Sequence, residues 1–117
     1  MSEPTSDCLF CKFVSREIEP DVVHETETTL AFRDINPQAP THVLVVPKAH
    51  QPHIAALAAE EPEIVADLFT TAAAVAEKDG LGEQYRLVLN TGAQAGQSVF
   101  HVHAHVLGGR AMTWPPG

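Results

Sequence analysis

Positive charge, cysteine and long apolar runs are all scarce in this sequence, and each shortage excludes something. Only 7 Lys and Arg stand against 15 Asp and Glu, a formal charge of -8. A protein that tracks a nucleic-acid backbone displaces counterions with a basic stripe, so duplex DNA or RNA is not an expected partner. The longest apolar stretches, residues 43–46 and 54–59, fall far short of the ~20 residues that span a bilayer. The leader, residues 1–7, is polar and lacks the apolar segment of a secretory signal. No membrane partner is expected, and the expected location is the cytoplasm. Two cysteines, Cys8 and Cys11, cannot staple distant segments, so no disulfide framework holds the fold.

What remains is an ordinary globular composition, 44% hydrophobic and 19% charged over 117 residues. That predicts one domain over residues 8–117, preceded by a disordered segment, residues 1–7. Leu9, Phe10, Phe13 and Val14 fall within one helical repeat and predict a short N-terminal helix. Residues 22–25, 28–34 and 42–46 are β-rich runs that read as an antiparallel meander. Pro52 opens a short helical turn, and Pro62 opens a longer helix over residues 62–79, where Ile64, Leu68, Ala72, Val75 and Ala76 recur at helical spacing before Gly80. Residues 85–90 and 99–107 predict two more strands, joined by a loop with two glycines. The sum is an α+β domain with a five-stranded antiparallel sheet, a short N-terminal helix and one long helix. The tail, residues 111–117, lies outside the sheet because Pro115 and Pro116 lack amide donors.

The chemistry concentrates in histidine. His101, His103 and His105 alternate with Phe100, Val102, Ala104 and Val106, which on a strand puts three imidazoles on one open face and the apolar set against the helices. Two such imidazoles can chelate zinc with ligands from elsewhere, but ends of the triplet ~13 Å apart cannot share one tetrahedral ion. At least one histidine is then free to act as nucleophile or acid/base near neutral pH. Backbone amides around Gly96, Gln97 and Ser98 are placed to form an anion-binding concavity, by which an acidic protein can hold a phosphate. Cys8-Leu-Phe-Cys11 offers two ligands, too few for a closed zinc site; the fold pattern does not support a redox pair, and two inert buried thiols are the competing reading. His24 and His53 read as surface residues.

His101-Val-His-Ala-His-Val-Leu107 has the form His-φ-His-φ-His-φ-φ, with φ hydrophobic, and resembles the signature of the histidine triad (HIT) nucleotide-binding superfamily. Residues 30–42, Val45-Val-Pro-Lys48, Gly96-Gln-Ser98, Leu107-Gly-Gly-Arg110 and Trp114-Pro-Pro-Gly117 resemble its purine nucleoside phosphoramidase branch. The dinucleoside polyphosphate hydrolase branch usually carries proline where this chain has Gly108-Gly109. The resemblance covers residues 8–117 and implies a HIT-like fold. It implies that His103 attacks the phosphorus of a nucleoside 5'-phosphoramidate with an amine or aminoacyl leaving group, giving a nucleotidyl-histidine that water hydrolyses. It makes His105, His42 and Ser98 catalytic partners of His103. Asn90, Gly96, Gln97, Ser98 and Val99 would face the phosphate with His103 and His105, Asp34 would face the ribose, and Leu9, Phe10, Phe32 and Ile35 would wall the base. AMP or GMP is the implied ligand, a homodimer the implied assembly, and no cofactor is implied for catalysis. Similar bacterial members pair the two cysteines with histidines that correspond to His50 and His101, which implies a structural zinc on Cys8, Cys11, His50 and His101. Dinucleoside polyphosphate hydrolysis and non-catalytic nucleotide sensing are the alternatives.

Overall fold

A computed structural model describes residues 7–117; the expectation of disorder over residues 1–7 lies, apart from Asp7, outside the described residues. The β-rich runs form Val22–Glu25 (β1), Thr29–Arg33 (β2), Thr41–Pro47 (β3), Arg86–Val88 (β4) and Ala104–Gly108 (β5). They make one antiparallel sheet in the order β1-β2-β3-β5-β4. Leu9–Ser15 (α1) lies N-terminal to the sheet in sequence, while Ile54–Glu60 (α2) and Pro62–Lys78 (α3) fall between β3 and β4.

β3 is buried along its whole length, so both of its faces have to be apolar, and they serve two cores. Val43 and Val45 join Ala31, Val106, Leu57, Leu68, Ala72 and Val75 beneath α2 and α3. Leu44 and Val46 join Leu30, Phe32 and Phe10 beneath α1. Each fully buried side chain of this size stabilises the fold by roughly 1.5–3 kcal/mol, which is how a helix of seven residues stays docked.

Caps set the helix ends. Cys8 Sγ accepts the Cys11 amide at the start of α1, and Arg16 ends it in the left-handed region at φ 68. His53 is not a plain surface residue: half-buried, it caps α2 by accepting the Ala56 amide on Nδ1. Pro62 opens α3, and Gly80 follows it at φ +75.

Four sequence expectations are corrected. The strand expected over residues 85–90 is ordered as β4 only at Arg86–Val88, and the one expected over residues 99–107 begins at Ala104. The alternation of faces nonetheless extends back past that start, because Val102 packs in the same core as Ala104 and Val106. Phe100 does not join them and is exposed. The histidine face is not open either: α1 folds over it, leaving His101 0% and His103 7% exposed.

Asp79 ties the end of α3 to the sheet. Its carboxylate accepts both Arg33 guanidinium nitrogens at 2.7 and 2.9 Å and the Thr41 hydroxyl at 2.7 Å. The Arg33 hydrogen bonds, with help from Thr41, hold its carboxyl below the ordinary range. A carboxyl whose pKa is lowered by folding stabilises the native state above its unfolded pKa and loses that contribution as the pH falls through the folded value. Asp79→Asn is therefore expected to cost about 1–2 kcal/mol at pH 7, discounted for the partly exposed Arg33. Thermal melts should show the gap between the two proteins narrowing as the pH falls through and below the ordinary aspartate range; an undiminished gap at the acid end would refute the ion pair as the cause. Among the described residues no helix is long and apolar enough to cross a membrane.

Candidate active site

The three alternating histidines occupy three different environments. His101 Nε2 lies 2.8 Å from the Pro47 carbonyl, which can only accept, so that nitrogen carries the proton and Nδ1 holds the lone pair. His103 Nδ1 likewise donates to the His101 carbonyl at 2.8 Å, leaving Nε2 unprotonated. His105 Nδ1 lies 2.9 Å from His42 Nε2. The Gln38 amide donates to His42 Nδ1 at 3.0 Å, so His42 Nε2–H donates to His105 Nδ1, and His105 carries its own proton on Nε2. Asp34 Oδ2 stands 3.4 Å from the same His42 nitrogen.

Burial favours the neutral ring in each member of the triad. It is the main cause of the lowered pKa of His103, against the opposing His101 carbonyl and Asp34. It also brings His105 down to about 4, aided by His103 and His42. His101 falls to about 4 for the same first reason. At neutral pH the network therefore presents an imidazole lone pair on His103 beside an N–H on His105, with ring centroids 5.1 Å apart.

His101 Nδ1 faces a second cluster. Cys8 Sγ lies 3.4 Å away, Cys11 Sγ 3.5 Å and His50 Nδ1 3.1 Å, while Cys11 Sγ and His50 Nδ1 are 3.3 Å apart. Tetrahedral zinc with Zn–S of ~2.3 Å and Zn–N of ~2.0 Å separates its ligands by roughly 3.3–3.8 Å. The spacing, the donor types and the His101 N–H bonded to a backbone carbonyl all fit a structural zinc. This four-residue set can hold that ion. Asp34, His42 and His105 also converge, but they fit a metal less well. A metal on His42 Nε2 would move the proton to Nδ1 and set it against the Gln38 amide.

A cavity of about 600 Å³ opens beside His103 and His105. Leu9, Phe10 and Phe32 form apolar walls, and Asp34 and Ser98 line it too. Ile35 lines it from a fully exposed position, so it stands at the mouth. The sequence reading missed Phe13, Leu44 and the turn at Ile18 to Asp21, which complete the walls. Helical spacing from Leu9 pointed to Phe13, and the Phe32–Leu44 pairing across the sheet pointed to Leu44. No local pattern marks the turn.

Asn90, Gly96, Gln97 and Val99 stand outside this lining. The expected anion concavity is largely closed on itself: a 3-10 turn over Ala93–Ala95 lets Gly96 N–H bond the Ala93 carbonyl and Gln97 N–H the Gly92 carbonyl. Gln97 is instead a buried clamp. Its side chain accepts the Gly92 amide at 2.9 Å and donates to the carbonyls of Pro52 at 2.6 Å and Val99 at 3.0 Å. Asn90 packs against Gly96, whose absent Cβ would lie 3.4 Å from its amide nitrogen.

The HIT domain profile matches residues 15–112. The chain belongs to the HIT domain family. Among HIT relatives, a "14 kDa zinc-binding protein" of Zea mays is 49% identical, the match covering 96% of this chain and 89% of the maize protein. The "Adenylylsulfatase HINT1" of Arabidopsis thaliana is 46% identical over 96% of this chain and 78% of its own. A HIT family hydrolase of Legionella pneumophila superposes with a TM-score of 0.91 at 49% identity, covering 95% of this chain and all of that one.

Proposed function

We propose that this HIT protein is a hydrolase that binds a purine nucleoside 5'-monophosphoryl group in the cavity and cleaves its P–N bond through His103. The observation that supports this most directly is the unprotonated His103 Nε2 at the cavity wall, its other nitrogen bound to the His101 carbonyl. In the first step Nε2 attacks phosphorus and the P–N bond breaks. The amine leaves with a proton relayed from water through the Ser98 hydroxyl, while the His101 carbonyl stabilises the positive charge on the ring. His105 Nε2–H donates to a phosphoryl oxygen, and His42 fixes its tautomer. Water then attacks phosphorus and returns a proton through the Ser98 hydroxyl, replacing the one drawn in the first step, while the P–Nε2 bond breaks and its electron pair returns to His103. No step calls for a cofactor.

Asp34 Oδ1 already accepts the Asn36 amide at 2.8 Å, and a carboxylate has further lone pairs for the ribose hydroxyls. The aromatic walls suit a purine face. Cys8, Cys11, His50 and His101 are assigned to zinc, which supplies cross-linking rather than chemistry. The homodimer reading is supported by β4 at a sheet edge and by Trp114, 81% exposed on the tail.

The test is AMP release from adenosine 5'-phosphoramidate, adenylyl sulfate and a diadenosine polyphosphate at equal concentration. The phosphoramidate is expected to turn over fastest. The name of the Arabidopsis relative favours a second reading with sulfate as leaving group, and faster release from adenylyl sulfate would replace the first with it. Nucleotide binding with no release from any of the three would leave a sensor.

A further inference from the structure

The geometry points to a free-energy linkage between zinc and nucleotide, carried by α1 and His101. It rests on the nucleotide reading above and concerns how the two sites share parts. α1 has seven residues, too few to be stable alone, and its N-terminal turn serves the donor set. Cys8 caps the helix and Cys11 is buried one turn on, with both thiols at the cluster. The same helix presents Leu9, Phe10 and Phe13 to the cavity. The Phe10 ring meets the edges of two histidines, His103 at 5.0 Å and His101 at 6.0 Å between centroids. His101 belongs to both sites at once: its ring nitrogen faces the thiols while its carbonyl holds the proton of His103.

Two thiolates cancel the charge of one zinc ion, so the ion does not act on the phosphate as a distant cation. Its effect is mechanical. Ligation fixes the pitch of α1 against the sheet, and with it the cavity wall and the orientation of the His103 ring. A nucleotide seated on that wall in turn holds the thiols in ligating geometry. Such coupling is reciprocal by thermodynamic necessity.

The test uses the full-length zinc-loaded chain with AMP as probe, which is not turned over. AMP affinity is measured by calorimetry before and after stripping the metal, and zinc affinity by competition with a chelating dye, with and without saturating AMP. Stripping is expected to weaken AMP binding about tenfold, and AMP to tighten zinc retention by the same factor. Equal zinc affinity with and without AMP, in a chain that binds AMP, would overturn the linkage. Failure of the zinc-loaded chain to bind AMP would instead sink the nucleotide reading. Far-UV circular dichroism of the stripped chain should remain native-like. Global loss of helix would make zinc a requirement for folding and overturn a coupling local to α1.

Discussion

His103→Ala is expected to lower AMP release from adenosine 5'-phosphoramidate by at least about 10⁴-fold, since loss of the nucleophile alone costs a catalytic triad about 10⁶-fold in kcat. AMP affinity should change far less, because the walls at Phe10 and Phe32 and the carboxylate of Asp34 remain. The separation follows from position. His103 reaches the cavity through one nitrogen, and its other nitrogen is spent on the His101 carbonyl. Rapid-quench measurement of a single turnover reads the chemical step without product release. Trapping of radiolabelled nucleotide on acid-stable or base-stable protein distinguishes the intermediate, since an N–P bond survives base and not acid. Activity in the variant within tenfold of wild type would end the case for this nucleophile.

Loss of the metal ligands is expected to have the largest effect on stability. Cys8→Ser retains an oxygen able to cap α1 in place of the sulfur and removes one thiolate from the donor set. Its cost is therefore assignable to the metal. The wild-type chain purified without added zinc should carry about one equivalent, and the variant much less. The melting temperature should fall by about 10 °C, corresponding to roughly 2–3 kcal/mol for a domain of this size. Wild type stripped by a chelator should fall equally. An unchanged melt in a variant free of zinc would show that the cluster packs equally well as thiols and imidazoles.

Local periodicity carried most of the fold and part of the site. The β-rich runs gave the strands. The alternation through residues 101–106 sorted Val102, Ala104 and Val106 onto one face and the histidines onto the other, even where the ladder had not yet begun. The same alternation could not say that the histidine face is covered. That depends on α1 reaching His101 across 90 residues of sequence, and no local period encodes it. The apolar walls on α1 and β2 were legible because they repeat within an element. The turn at Ile18 to Asp21 was not, since its place on the cavity depends on where α1 hands the chain to β1. Gln97 was misread for a similar reason: its side chain is bound to the Pro52 carbonyl, 45 positions away.

That clamp bears on how ligands come and go. A loop held at the Gly92 amide and at the carbonyls of Pro52 and Val99 by one buried side chain has to break three bonds together before it swings, so it makes a fixed jamb rather than a lid. Traffic is left to the mouth, where Ile35 stands fully in solvent. The amides of Gly92, Gly96 and Gln97, each already donating within the protein, should exchange with deuterated solvent on the time scale of the sheet rather than that of a breathing loop.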